Sequence, residues 1–482
     1  MRRALIVPIL MAVWAPSAAA RAGHPAPGQG AARPLQAAQS LGPHEQAARD
    51  IFKELVEIDT TDSSGSTTRA AEAMASRLRA AGFPESDVLV VGPNARKGNL
   101  VARLRGRGAR RPILLLAHLD VVEARREDWS PDLDPFALTE RDGYFYGRGT
   151  SDDKNQASIW IANLIRYKQE GFVPDRDIIV ALTADEEGGD SNGASWLLAN
   201  HRALVDAEYA LNEGGGGDLK DGRRIANNVQ AAEKVYFSVA LEARNPGGHS
   251  ALPRRDNAIY QLSAALTRLA ALEFPIELNE IAKAYFAGMA AQQTGQLAED
   301  MKAVAGPSPD PAAAARLAAA SPSYNAVMRS TCVATQLSGG HAENALPQSA
   351  RAVVNCRLLP GADPRAVERA LRDAIADDGI SITPVSEPVP SPASPLRPDL
   401  MDAIRRHTDE MWPGVPVVPF MASSATDGMH FRNAGIPTYG VDGTFFDVDD
   451  VRAHGKDERL GVREYFEGLE FLYRLVKTLS GP

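Results

Sequence analysis

The sequence predicts an α/β fold: a mostly parallel-sheet domain (residues 43–232 and 387–482) interrupted by an inserted α+β domain (residues 233–386). Three observations predict it. Short apolar runs such as Ile178–Leu182 alternate with amphipathic helical stretches, the pattern of strands buried on both faces. Several of these runs end in acids or histidine, with glycine close behind. From about Lys234 the pattern changes to alternating, antiparallel-type strands, and it changes back after the Pro-rich stretch Pro384–Pro398.

Taken in order, Pro43–Glu57 reads as an amphipathic helix with Ala47, Ile51, Leu55 and Ile58 on one stripe. Thr68–Ala81 is a second helix, stopped by Gly82 and Pro84. Val88–Val91 and Asn99–Arg105 are short strands, and Pro112–Val122 is a buried one. Asp128–Gly149 reads as a polar loop. Asn155–Glu170 is a helix with Asp152 and Asp153 at its start, where one of the two acids is expected to cap it. The strand Ile178–Leu182 follows, then a helix around Ala194–Leu204, and a strand from Glu208 that runs into four glycines. In the inserted region, Val235–Ala243 is a strand and Asn257–Leu272 a helix. Residues 275–325 form an Ala-rich helical insertion. Met328–Leu337 and Arg351–Leu359 are paired strands, and Asp363–Asp377 is a helix. The first domain resumes with the helix Pro398–Trp412, the strands Val415–Phe420 and Ile436–Val441, and a last helix from about Leu460 to Leu479.

The chain has 482 residues, 44% hydrophobic and 23% charged, with a net charge of -9. A protein of this balance carries no basic stripe for nucleic acid. The N-terminus reads as a signal peptide over residues 1–22: basic Met1-Arg2-Arg3, the apolar stretch Ala4–Ala15 and the small residues Ser17–Ala20. The apolar stretch is too short to span a bilayer, and no cysteine follows it, so no stable membrane anchor is expected. Residues 23–42 read as a disordered leader. The expectation is an exported protein, periplasmic or secreted. Cys332 and Cys356 are the only cysteines; an oxidising compartment permits a disulfide, though free buried thiols are slightly favoured.

The chemistry concentrates at strand exits. Asp185, Glu186 and Glu187 follow Ile178–Thr183, and three carboxylates together repel unless a cation lies among them. His118 and Asp120 interrupt an apolar strand two residues apart, on one face, where a carboxylate can hold the imidazole that binds a metal. Glu213 stands at a third exit, and open α/β sheets bind ligands at these ends. Such a set of acids and histidines suits two Zn²⁺ ions sharing a carboxylate, with Co²⁺ or Mn²⁺ as alternatives.

Six ordered motifs then carry a resemblance: Ala117–Val122, Gly147–Lys154, Thr183–Gly188, Gly247–Ser250, Asn344–Pro347 and His454–Leu460. From about Pro43 to the C-terminus the chain resembles the M-twenty family of di-zinc exopeptidases and deacylases. The resemblance implies a zinc-hydrolase catalytic domain with an inserted lid or dimerisation domain. It implies His118 and Glu213 as terminal ligands of one zinc, Glu187 and His454 of the other, and Asp152 as the bridge. Asp120 would orient His118, and Glu186 would be the general base. In the inserted domain His249 would assist the oxyanion, arriving from the other subunit in dimeric relatives, and Asn344 would face the substrate. Thr426 matches a segment lining the substrate pocket, and Arg357 is a candidate partner for a substrate carboxylate. His454 is preferred over His430 as the ligand. Two departures, Asn155 where relatives carry Gly, and Met429-His430 where many carry Arg, bear on substrate fit. The implied activity is hydrolysis of short peptides, of carboxypeptidase or dipeptidase type, with N-acyl amino acid hydrolysis as the alternative and a homodimer possible.

Overall fold

A computed structural model describes residues 41–481 of the chain. The expected signal peptide, and the leader as far as residue 40, lie outside the described residues. The apolar runs do form strands. Ile113–His118, Ile178–Thr183 and Tyr209–Asn212 are buried along their whole length. They lie side by side and parallel, with His118 opposite Thr183 and Leu115 opposite Leu211. Thr438–Gly440 extends this parallel group beside Tyr209–Asn212. All four strands therefore end at one edge; His118 closes the first of them, and the loops after the first three carry Asp120, the Asp185–Glu187 run and Glu213.

The rest of this ten-stranded sheet is mixed. Val88–Val91 and Asn99–Leu104 add antiparallel on one side. The hairpin Gly216–Lys220 and Arg223–Glu233 lies on the other, with Val417–Ala422 and Phe445–Asp447 parallel to its two arms. The hairpin's first strand begins inside the glycine run that reads as a loop. At Gly217 a Cβ would lie 2.1 Å from the Phe445 ring, so only glycine lets these strands approach. Helices cover both faces. Lys154–Gln169 is buried over most of its length, and the Trp160 indole N–H donates to the Leu116 carbonyl at 3.1 Å. In the first helix the packed stripe is Ala48, Ile51, Phe52, Leu55 and Val56. Ala47 is only half-buried. The polar loop before Asp152 holds a small hairpin, Thr139–Arg141 with Tyr144–Tyr146, to which Arg459–Gly461 pairs.

Residues 235–384 carry a separate antiparallel sheet, in the order Thr331–Gly339, Ser349–Leu358, Val235–Arg244, Ile380–Pro384. Helices Ala258–Leu269 and Pro364–Ile375 close its core around Phe237, Val239, Val354, Leu262 and Leu371. The Ala-rich segment is helical, in four helices from Glu280 to Met328, with a core of its own around Phe286, Met301 and Leu317. It packs against the large sheet: Gly288 of helix Glu280–Ala290 faces Val418, where a Cβ would come within 3.2 Å.

The expectation of free thiols is corrected. Cys332 and Cys356 sit directly opposite each other on neighbouring strands, Cα atoms 4.0 Å apart, and form a disulfide. Alternation alone could not supply this, because register decides which residues face across a ladder. The bond closes a loop with a sequence separation of 24. Replacing both cysteines by serine should lower the stability of the inserted domain by about 2–4 kcal/mol, read as an earlier denaturation midpoint; the unreduced wild type should show no titratable thiol.

Candidate metal centre

The three parallel strands and two loops bring six side chains together. His118 ends its strand, fully buried. Its Nδ1 donates to the Asp120 carbonyl at 3.0 Å; a carbonyl only accepts, so Nδ1 carries the hydrogen and Nε2 is turned inward. Nε2 lies 3.0 Å from Asp152 Oδ1 and 3.9 Å from Glu213 Oε2. The other oxygen of Asp152 lies 3.0 Å from His454 Nε2, which is 2.8 Å from Glu187 Oε1. Two donor groups result, His118–Asp152–Glu213 and Asp152–Glu187–His454, each with its ligand atoms within 4.8 Å of one another. They share Asp152, one oxygen to each.

This donor set fits a pair of divalent cations. Imidazole nitrogen and carboxylate oxygen are zinc's ligands. Glu213 Oε1 is buried without a hydrogen-bond partner, which is costly for a carboxylate unless a cation meets it. The electrostatics point the same way. Burial, then the negative charge of Glu213, raise the Glu186 carboxyl well above its usual range. Glu213 and Asp153 are raised as well, chiefly by burial. Burial opposes charge on His118, but Glu213, Asp120 and Asp152 outweigh it and lift the imidazole. Asp152 and Glu187 lift His454 to about 10. The cavity is short of positive charge, and two bound cations would supply it.

Asp120 acts differently from expectation. It lies beyond the strand end, and its carboxylate is 3.7 Å from His118 Nδ1. It accepts instead from the backbone N–H groups of Glu186 and Glu187, at 3.1 and 2.9 Å. Asp120 therefore fixes His118 through its carbonyl and the acidic loop through its carboxylate. The three acids of that loop diverge: Asp185 pairs with buried Lys97, Glu187 meets His454, and Glu186 is left half-buried beside the donor groups. Neither Asp152 nor Asp153 caps the following helix by its side chain; Asp153 accepts from the His118 N–H at 3.3 Å.

The remaining sequence candidates are distributed unevenly. His249 and Asn344 are neighbours on the ribbon Gly248–His249 with Ala345–Leu346, both exposed, and neither hydrogen-bonds to the donor groups. Arg357 lies half-buried across from Tyr236, its guanidinium 4.8 Å from that ring. Thr426, matched to a pocket-lining segment, has its hydroxyl engaged within the protein. It is buried, donating to Glu233 at 3.1 Å and accepting from Asn212 at 3.2 Å. His430 sits on the helix Gly428–Asn433, outside both donor groups.

Sequence reasoning passed over Arg148 and Glu458, although both stand inside quoted motifs. They form a buried ion pair at 2.5 Å, their side chains 4% and 0% exposed. Glu458 also accepts from the Ser151 N–H and hydroxyl at 2.8 and 2.9 Å. Arg148 donates to the carbonyls of His454 and Gly455 at 3.2 Å. The pair thus ties the Asp152 loop to the His454 loop. Asp427 was missed as well; it accepts from Thr183 Oγ1 at 2.6 Å and Asn192 at 2.7 Å behind the acidic loop.

Residues 114–478 match the sequence pattern of peptidase family M20/M25/M40. The chain belongs to this family. It is 30% identical over 374 residues to the N-fatty-acyl-amino acid synthase/hydrolase PM20D1 of Xenopus tropicalis, covering 76% of this chain and 72% of that protein. It is 28% identical over 379 residues to the probable carboxypeptidase S-like 2 of Dictyostelium discoideum, with the same coverage. Its fold is similar to the M20 family metallo-carboxypeptidase Sso-CP2 of Sulfolobus solfataricus, with a TM-score of 0.65 and 17% identity over 89% of this chain and 98% of that one. The M20 chain is accordingly a hydrolase acting on amide bonds.

If Arg148 and Glu458 hold the two ligand loops in register, Glu458→Gln should weaken binding of the metal pair by about 10–100-fold. Competition with a chromogenic chelator reads this directly. Unchanged affinity in a folded variant would contradict the role.

Proposed function

We propose that this M20 chain is an exported di-zinc hydrolase that releases a carboxy-terminal amino acid from short peptides, as a carboxypeptidase or dipeptidase. The observation that carries the reading is the two donor groups that share one carboxylate, with Glu186 next in the chain to the candidate ligand Glu187 and its carboxyl raised by burial and by the charge of Glu213. When bound, a divalent pair supplies a Lewis acid for the scissile carbonyl and makes water acidic near neutral pH. Glu186 takes the proton from the attacking water and returns it to the leaving amine. Asp120 holds the Glu186 backbone in place for both transfers. His249 and Asn344 meet the substrate from the inserted domain.

N-acyl amino acid hydrolysis is the second reading, favoured by the name of the Xenopus relative. Both substrates share a leaving group, an amino acid with a free carboxylate. The basic, apolar, small-residue order of residues 1–20 supports export, and the disulfide agrees with an oxidising compartment.

A homodimer belongs to the same reading. Thr331–Gly339 is the outer strand of the inserted sheet, paired on one side only, and it exposes Val333 and Leu337 at 61% and 67%. A second copy pairing there would cover an edge that is otherwise open. Sedimentation should give a dimer, and Val333→Lys with Leu337→Lys a monomer.

The catalytic assignment has its own test. Glu186→Gln should lower kcat by roughly 10²–10⁴-fold with its metal content unchanged, and removal of metal by a chelator should abolish turnover of the wild type. Mass spectrometry on mixed dipeptides and N-acyl amino acids separates the two substrate readings. A Glu186→Gln protein with full activity would contradict the base.

A further inference from the structure

Lys234 stands at the junction of the two sheets, between Arg223–Glu233 and Val235–Arg244. Its backbone N–H donates to the Ala422 carbonyl at 2.9 Å. The side chain is 2% exposed. An ammonium carries three donors, and this one reaches a single acceptor, the Arg329 carbonyl, at 2.7 Å. Among the described residues no carboxylate pairs with it. Arg329's own guanidinium is engaged by Glu273 at 2.9 Å. A buried cation with one neutral acceptor is unfavourable as it stands.

Lys234 lines a cavity of about 400 Å³ between the helices Glu280–Ala290 and Pro322–Met328 and the strand Val417–Ala422. Its walls are largely apolar, with Tyr285, Pro322, Val327, Phe420 and Met421 prominent among them. The Ala-rich helical segment makes one side of the cavity and the large sheet the other. None of its lining residues is a metal ligand.

We infer that this cavity binds an apolar monocarboxylate, its carboxylate against the Lys234 ammonium and its hydrocarbon body against Tyr285, Val327, Phe420 and Met421. A carboxylate supplies acceptors for the two unused N–H groups and the missing counter-charge. The apolar walls select a hydrocarbon over a polar anion such as phosphate. Burial, then the like charge of Arg357, lower the amine to about 8, which leaves it mostly charged at neutral pH. The inference stands apart from the hydrolytic reading, since it concerns binding at a place that holds no metal ligand. Such a carboxylate has two sources, a free fatty acid or a short branched acid of amino-acid size.

Calorimetry on the metal-loaded protein tests it, with decanoate for the first source, 4-methylpentanoate for the second, and decanol as the uncharged control. At least one carboxylate should bind one-to-one, and Lys234→Met should weaken it by at least about tenfold. Ala326→Leu keeps the amine but narrows the cavity, and should weaken decanoate as well. Decanol should bind the wild type and Lys234→Met alike. The tighter of the two carboxylates names the source. Failure of both to bind, equal binding of decanoate and decanol, or a carboxylate affinity unchanged in Lys234→Met would overturn the site. Should Lys234→Met not fold, an affinity for the tighter carboxylate unchanged in Ala326→Leu would overturn it alone.

Discussion

The Asp152 carboxylate lies between two imidazoles, one oxygen 3.0 Å from each Nε2. Much of the remaining architecture follows from that position. One imidazole is at the end of a central strand and buried; the other is on a loop more than three hundred residues away in sequence, with its side chain half in solvent. Glu187 and Glu213 add a second carboxylate to each side. So many acids around two histidines form a stable cavity only with added positive charge, and the directions in which Glu186, Glu213, His118 and His454 are shifted all express that shortage.

The scaffold holds this arrangement by indirect means. The parallel strands fix where His118, Glu187 and Glu213 emerge. Asp120 locks the acidic loop through two backbone N–H groups and holds the His118 ring through its own carbonyl. Arg148 and Glu458 hold the Asp152 loop and the His454 loop to each other in the interior. Removing one member of such a buried pair leaves an uncompensated charge, which is why its effect should reach the metal without any contact to it. Lys97 with Asp185, and Thr183 and Asn192 with Asp427, brace the acidic loop from behind.

Much of the fold and of the donor set was legible because buried parallel strands leave a strong local mark. Ile113–His118 and Ile178–Thr183 are continuous apolar runs, and residues that break the pattern at or just after their ends, His118 and Glu187, enter the two donor groups. What was not legible depends on pairing across long stretches of chain. The hairpin Gly216–Glu233 starts in a glycine run, where local propensity favours a loop and contact with Phe445 overrides it. The Arg148–Glu458 pair spans 310 residues, and nothing in either motif alone announces it. Cys332 and Cys356 meet only because the two strands adopt one register of several. Thr426 reads as a pocket residue, but Glu233 and Asn212 draw its hydroxyl inward.

The large sheet presents the ligands, and the inserted sheet carries His249 and Asn344 on a separate ribbon. The measurement that bears most directly on the account is anomalous diffraction at the zinc edge from crystals of the metal-loaded protein. The account predicts two peaks, one on each side of the Asp152 carboxylate, one against His118 and Glu213 and the other against Glu187 and His454. A single peak, or a pair that leaves Asp152 uncoordinated, would contradict it.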